Sequence, residues 1–110
     1  MAIWKKIDVQ GDVQPILWKC FGYIAQELAK NGVHNIYITS IREGLHSLTS
    51  FHYIGLAIDW QQSGIENEKS IIEKGIYRFC NKYRKSVNDF DLIMYTDSRN
   101  IFHLEYDVKN

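Results

Sequence analysis

Ile16, Cys20, Ile24 and Leu28 recur every four residues, with Leu17 and Phe21 beside them. That spacing is the buried stripe of an amphipathic helix. It predicts a helix from Val13 to Asn31, with Asp12 as cap, Pro15 in the first turn and Gly32 just past the end. NIYITS (Asn35 to Ser40) alternates and is rich in β-branched residues, so it reads as a strand. Arg42 to Tyr53 has no period and reads as a long loop. LAIDW (Leu56 to Trp60) is a second strand, with Leu56, Ile58 and Trp60 on one face and Ala57 and Asp59 on the other. A second helix is predicted over Glu66 to Ser86, burying Ile72, Ile76, Phe79, Cys80 and Tyr83, and slightly weakened by Gly75. FDLIMYT (Phe90 to Thr96) and IFHLEYD (Ile101 to Asp107) read as strands joined by the turn-forming DSRN. Ile101, His103 and Glu105 share one face of the last strand. This order predicts an α+β domain, with helices on one side of a mainly antiparallel sheet.

The 110 residues suffice for one domain, residues 1–110, and 45% hydrophobic content suits a folded core. Lys plus Arg equals Asp plus Glu, which leaves no electrostatic argument for nucleic acid or an anionic membrane. The local run Lys82, Tyr83, Arg84, Lys85 reads as the solvated side of a helix. Cys20 and Cys80 each fall on the apolar side of a helix and read as reduced core thiols rather than a disulfide framework or zinc knuckle. Trp4, Trp18 and Trp60 read as packing aromatics, the alternative being a sugar-binding groove. No apolar run approaches a membrane span, and MAIWKKIDVQGD lacks the features of a signal peptide. The expectation is synthesis in the cytoplasm, with any action outside depending on another route.

The polar positions carry the candidate chemistry. SFHYIGLAIDW (Ser50 to Trp60) holds His52 and Asp59 seven residues apart, with Gly55 and Ala57 between them. They are either ordinary surface groups or part of a metal site. His34, before the first strand, reads as a surface residue, whereas His46, His52 and His103 fall in a loop or on a polar strand face. If the strands holding Asp59 and His103 are neighbours, His52, Asp59 and His103 can meet. Two imidazole nitrogens and a carboxylate oxygen are a sensible catalytic zinc set, leaving a fourth position for water.

SFHYIGLAIDW resembles the Ser-x-His-x-x-Gly-x-Ala-x-Asp signature of the M15 zinc peptidases, at Ser50, His52, Gly55, Ala57 and Asp59. These include D-alanyl-D-alanine peptidases and phage L-alanyl-D-glutamate endolysins, which share the hedgehog/DD-peptidase fold. Upstream, ITSIREGLHS is similar to the family's strand and loop at Thr39, Ser40 and Arg42, and His46 stands where small phage members often have a His. Downstream, FHLEYD resembles their final His-x-Glu strand. The resemblance implies Zn2+ held by His52, Asp59 and His103, with Arg42 binding a substrate carboxylate and Ser50 in support. It gives Glu105 the role of orienting a ligand, and His46 that of a loop-stabilising or substrate-side residue. From the residues alone, Arg42 can equally be a loop charge and Glu105 an exposed strand carboxylate.

The pattern is not complete. Three residues before His103, where the family places its Glu base, stands Asn100, and the His found two residues before in phage members is replaced by Ile101. An amide cannot take and return a proton. Asp97, in the turn, is the candidate base, with Glu105 next in line. The implied function is zinc-dependent cleavage of peptidoglycan stem peptides by a phage protein, acting at the cell wall after lysis or as part of the virion. The alternative is a catalytically impaired domain of the same fold, serving as a structural or wall-binding component alongside other virion proteins.

Overall fold

The computed structural model describes residues 2–5, 15–42 and 56–108. Helix α1 (Pro15–Lys30) starts on its proline, whose missing N–H costs nothing at a first helical position. It stops at Gly32, which takes a left-handed φ of 89°. The Val33 N–H then returns to the Leu28 carbonyl at 3.0 Å, closing the helix end. Leu17, Cys20, Phe21, Ile24 and Leu28 are fully buried, as their period requires. Helix α2 (Glu68–Tyr83) is shorter at both ends than its apolar pattern predicts. Asn67 and Arg84 both adopt left-handed φ, and Arg84 sends its N–H back to Cys80. Glu68 is buried in the first turn, where its carboxylate accepts from the main chain of Ser63 and Gly64 and from the Ser63 hydroxyl at 2.6 Å.

The strands are β1 (Ala2–Lys5), β2 (Asn35–Arg42), β3 (Leu56–Gln61), β4 (Phe90–Met94) and β5 (Ile101–Tyr106). They form one sheet in the order β1-β2-β3-β5-β4. Every pairing is antiparallel except β1 with β2, which is parallel and makes the sheet mixed. The α+β expectation stands at that level. Strand β1 has only four residues and no alternation long enough to announce itself. Arg42, predicted to open a loop, is still in β2 and pairs with Ala57, and the rest of that predicted loop to Tyr53 lies outside the described residues.

Ile36, Ile38, Ile58, Trp60, Phe102 and Leu104 turn one sheet face into the core. Phe21 of α1 meets Trp60 edge-on at 5.0 Å between ring centroids, and Phe79 of α2 meets Phe90 at 5.8 Å. The helices also pack on each other. Gly75 lies at a tight approach between them: a Cβ there would lie 2.7 Å from the Ile24 Cα. What reads in sequence as a weak point in α2 is thus a crossing contact that only glycine fits. Cys20 and Cys80 are buried free thiols, and burial pushes both up, making them poor nucleophiles. Trp60 is a core residue, but Trp18 is 43% and Trp4 54% exposed, so two of the three indoles are not packed inside. The Trp4 indole instead donates to Asn35 across the β1–β2 pair at 3.1 Å.

Candidate functional site

The face of the sheet turned away from the core carries the polar residues. In β3 these are Ala57 and Asp59, and in β5 His103 and Glu105, because alternate residues share a face. The register then sets two rows. Ser40, Asp59, His103 and Ile93 stand across β2, β3, β5 and β4 in one, and Arg42, Ala57, Glu105 and Asp91 in the next. Ala57 is the small member beside the carboxylates. Gln62 anchors the start of the β4–β5 hairpin to the end of β3, donating its side-chain N–H groups to the carbonyls of Tyr95 and Ile101 at 2.7 and 3.0 Å.

His103 and Asp59 are therefore direct cross-strand partners. His103 Nδ1 and Asp59 Oδ1 are 2.5 Å apart, and both side chains are largely buried. On the other side of the ring, Glu105 Oε1 lies 3.6 Å from His103 Nε2. The hydrogen bond to Asp59 raises the His103 pKa above its usual value; burial opposes this, and the Asp59 and Glu105 charges reinforce it. The imidazole is thus held between two carboxylates, one at each nitrogen.

That donor set suits zinc. Tetrahedral zinc bound at ordinary lengths needs its ligand atoms about 3.3 Å apart. The Asp59–His103 contact would open by roughly 1 Å to admit it, and a metal there would displace a proton shared by the two groups. Glu105 at the remote nitrogen matches the carboxylate that commonly fixes a metal-bound imidazole. His52, the third predicted ligand, lies outside the described residues, as do Ser50 and His46. Arg42 is placed by its main chain alone, as the register partner of Ala57.

Asp97 sits in the β4–β5 turn, about half exposed, and is gripped by Arg99. The Arg99 side chain donates to both its carboxylate oxygens, at 2.6 to 3.1 Å, and the Arg99 main-chain N–H donates at 2.9 Å. These bonds hold the Asp97 carboxyl below its usual range. Asn100, three residues before His103, takes a left-handed φ of 50° in the same turn.

The structure adds residues that the pattern along the chain does not single out. Asp91 and Asp107 gather with Glu105, all three half-buried, with one carboxylate oxygen from each within 4.8 Å of the others. Such a cluster could hold a metal ion, although carboxylates also cluster without one. The alternation of FDLIM places Asp91 on the polar face, but its meeting with Glu105 depends on the β4–β5 register. No helix among the described residues is long and apolar enough to cross a membrane. No protein-family model and no curated protein sequence matches this chain.

Proposed function

We propose that this chain is a small zinc peptidase of the hedgehog/DD-peptidase fold, acting on peptidoglycan stem peptides. The observation that carries this reading is the contact between Asp59 and His103. They stand 44 residues apart in sequence, yet their metal-binding atoms converge across two strands, with Glu105 behind the imidazole. The signature around Asp59 and His52 supports it by resemblance. Asp59 and His103 would hold the metal with His52, and Glu105 would keep the His103 ring turned toward it. When bound, zinc supplies an acidic water and polarises the substrate carbonyl. Arg42 would take a substrate carboxylate, for which a planar two-pronged donor is suited. Phage origin, and action at the wall after lysis or from the virion, belong to the same proposal.

The proton acceptor is the open role. Asp97 can act only when released by Arg99, since a carboxylate held low binds protons weakly. Glu105 already lies beside the His103 ring. A specific observation favours the second reading, a non-enzymatic virion or wall-binding domain: Asn100 occupies the base position and Asp97 is tied up by Arg99. Zinc would then contribute stability.

The test is metal content and release of new amino groups from purified peptidoglycan, for the wild type, His52→Ala, His103→Ala, Asp97→Asn and Glu105→Gln. One zinc per chain, with cleavage lost in both histidine variants, supports the peptidase. Loss in only one carboxylate variant identifies the base. Bound zinc without cleavage of any wall favours the structural domain, and no zinc at all removes the metal centre.

A further inference from the structure

We propose that the free edge of β4 binds the main chain of an extended peptide and leads it to His103. This rests on the peptidase reading and names where its substrate lies. In an antiparallel pair, hydrogen-bonded and non-bonded residues alternate. Tyr95 N–H donates to the Ile101 carbonyl and Asp107 N–H to the Asp89 carbonyl, at 2.9 and 2.8 Å. Residues 89, 91, 93 and 95 therefore spend their main-chain groups on β5, and Phe90, Leu92 and Met94 turn theirs outward. The Phe90 N–H is taken by Val87. Strand β4 is the end of the sheet, and among the described residues no strand pairs with Leu92 or Met94 on that side.

Edges of this kind are normally blunted by shortness, charged residues (lysine above all), proline, a bulge or a covering element, and β4 has only its short length and Asp91, which is on the polar face. FDLIM has no lysine or proline, and its register against β5 is unbroken. Ile93 and Met94 are instead 43% and 37% exposed. A groove of about 560 Å³ runs along this edge from Phe90 to Ile93, short of Met94, and is lined also by Glu73 and Tyr77 of α2 and by His103 and Glu105. Ile93 is the register partner of His103, so a chain laid on the edge beside it is separated from His103 by β4 alone, and from Asp59 by β4 and β5. Main-chain pairing supplies affinity without demanding particular side chains. Pairing through Leu92 and Met94 alone needs only a short extended stretch, which suits stem peptides of mixed configuration.

The decisive experiment adds a synthetic peptidoglycan stem peptide to the metal-free full chain and follows amide hydrogen exchange. The expected result is slower exchange at Leu92 and Met94 and no change at Ile93, whose amide already faces β5. Met94→Pro removes one outward N–H and leaves the β5 pairing intact, since proline is tolerated on the solvent side of an edge strand. It should weaken peptide binding about tenfold, while Met94→Ala, which keeps the N–H, stays within about twofold. If the proline variant does not fold, exchange in the wild type and Met94→Ala still decides. Unchanged exchange at Leu92 and Met94 overturns the proposal. So does protection that grows with protein concentration in the absence of peptide, which would place a second copy on the edge. Wall cleavage by Met94→Pro at the wild-type rate also overturns it and leaves the peptidase reading standing. Protected amides in a chain that neither binds zinc nor cleaves would keep the edge site and remove the peptidase.

Discussion

Asp59 and His103 face each other directly across β3 and β5, and their side chains meet at 2.5 Å. A carboxylate and an imidazole this close, and this far from water, either share a proton or share a metal. Both alternatives have measurable consequences.

Without metal, the pair makes stability depend on pH. The Asp59 contact raises the His103 pKa in the folded state above the 6.5 of a free imidazole. Its stabilisation is fully present below that unfolded value and is lost as pH rises through the folded one. Urea unfolding of the metal-free chain should therefore show stability falling as pH is raised above the 6.5 of a free imidazole. Asp59→Asn should cost about 1–3 kcal/mol at the acidic end, and the gap should narrow at the alkaline end. A gap that is constant with pH would mean the pair is not charged in the fold.

With metal, zinc and the proton compete for the same atoms. Binding near neutrality should expel a proton from His103, and affinity should fall as pH drops. Calorimetric titration in two buffers of different ionisation enthalpy measures that proton. Zinc at a hundredfold excess over its dissociation constant should add about 2.7 kcal/mol of stability. His103→Ala should abolish both the proton release and the gain.

Much of this site is legible in the sequence, and the missing part is tertiary. Alternation alone sets His103 and Glu105 on one face and Asp59 on the polar side of its strand, because a period of two is a local property. It cannot say that β3 and β5 are neighbours, on which the Asp59–His103 contact depends. Asp91 escapes for the same reason, since its meeting with Glu105 belongs to the β4–β5 register. The helices are legible from their apolar stripes, but their ends are set by left-handed residues such as Asn67 and Arg84, which carry no strong sequence signal. Strand β1 escapes because four residues hold too little pattern, and its parallel partner lies over thirty residues away. Trp4 and Trp18 show the limit of hydrophobicity as a guide, since an indole can lie partly on the surface.

Two glycines test the helix crossing. A Cβ added at Gly22 of α1 would meet nothing within 4 Å, whereas one added at Gly75 of α2 would meet the Ile24 backbone at 2.7 Å. Gly22→Ala should therefore gain about 0.5–1 kcal/mol by helix propensity. Gly75→Ala should lose about 1–3 kcal/mol, because backbone must move to make room. Denaturant midpoints of the two variants should move in opposite directions. A stabilised Gly75→Ala would show that the helices can part there without cost.

The same helix pair is tied by a buried charge. Glu27 of α1 is 1% exposed and is met by Arg78 of α2, with Lys30 and Lys74 at 3.4 and 3.9 Å. Burial alone would raise its pKa, but the hydrogen bonds from Arg78 and Lys30 outweigh it and hold the carboxyl below its usual value of 4.5. The sign is opposite to that of His103: stabilisation is present above the unfolded pKa and is lost as pH falls through the folded one. Glu27→Gln should cost about 1–2 kcal/mol at neutral pH, a figure kept modest by the partial exposure of the three cations. That cost should shrink as the pH is lowered through the folded pKa, where the wild-type carboxylate is itself gaining a proton. Guanidinium salt would screen the charges, so urea is the denaturant to use. An equal cost at every pH would make Glu27 a packing residue, and the attraction to Arg78 would then contribute nothing to holding α1 against α2.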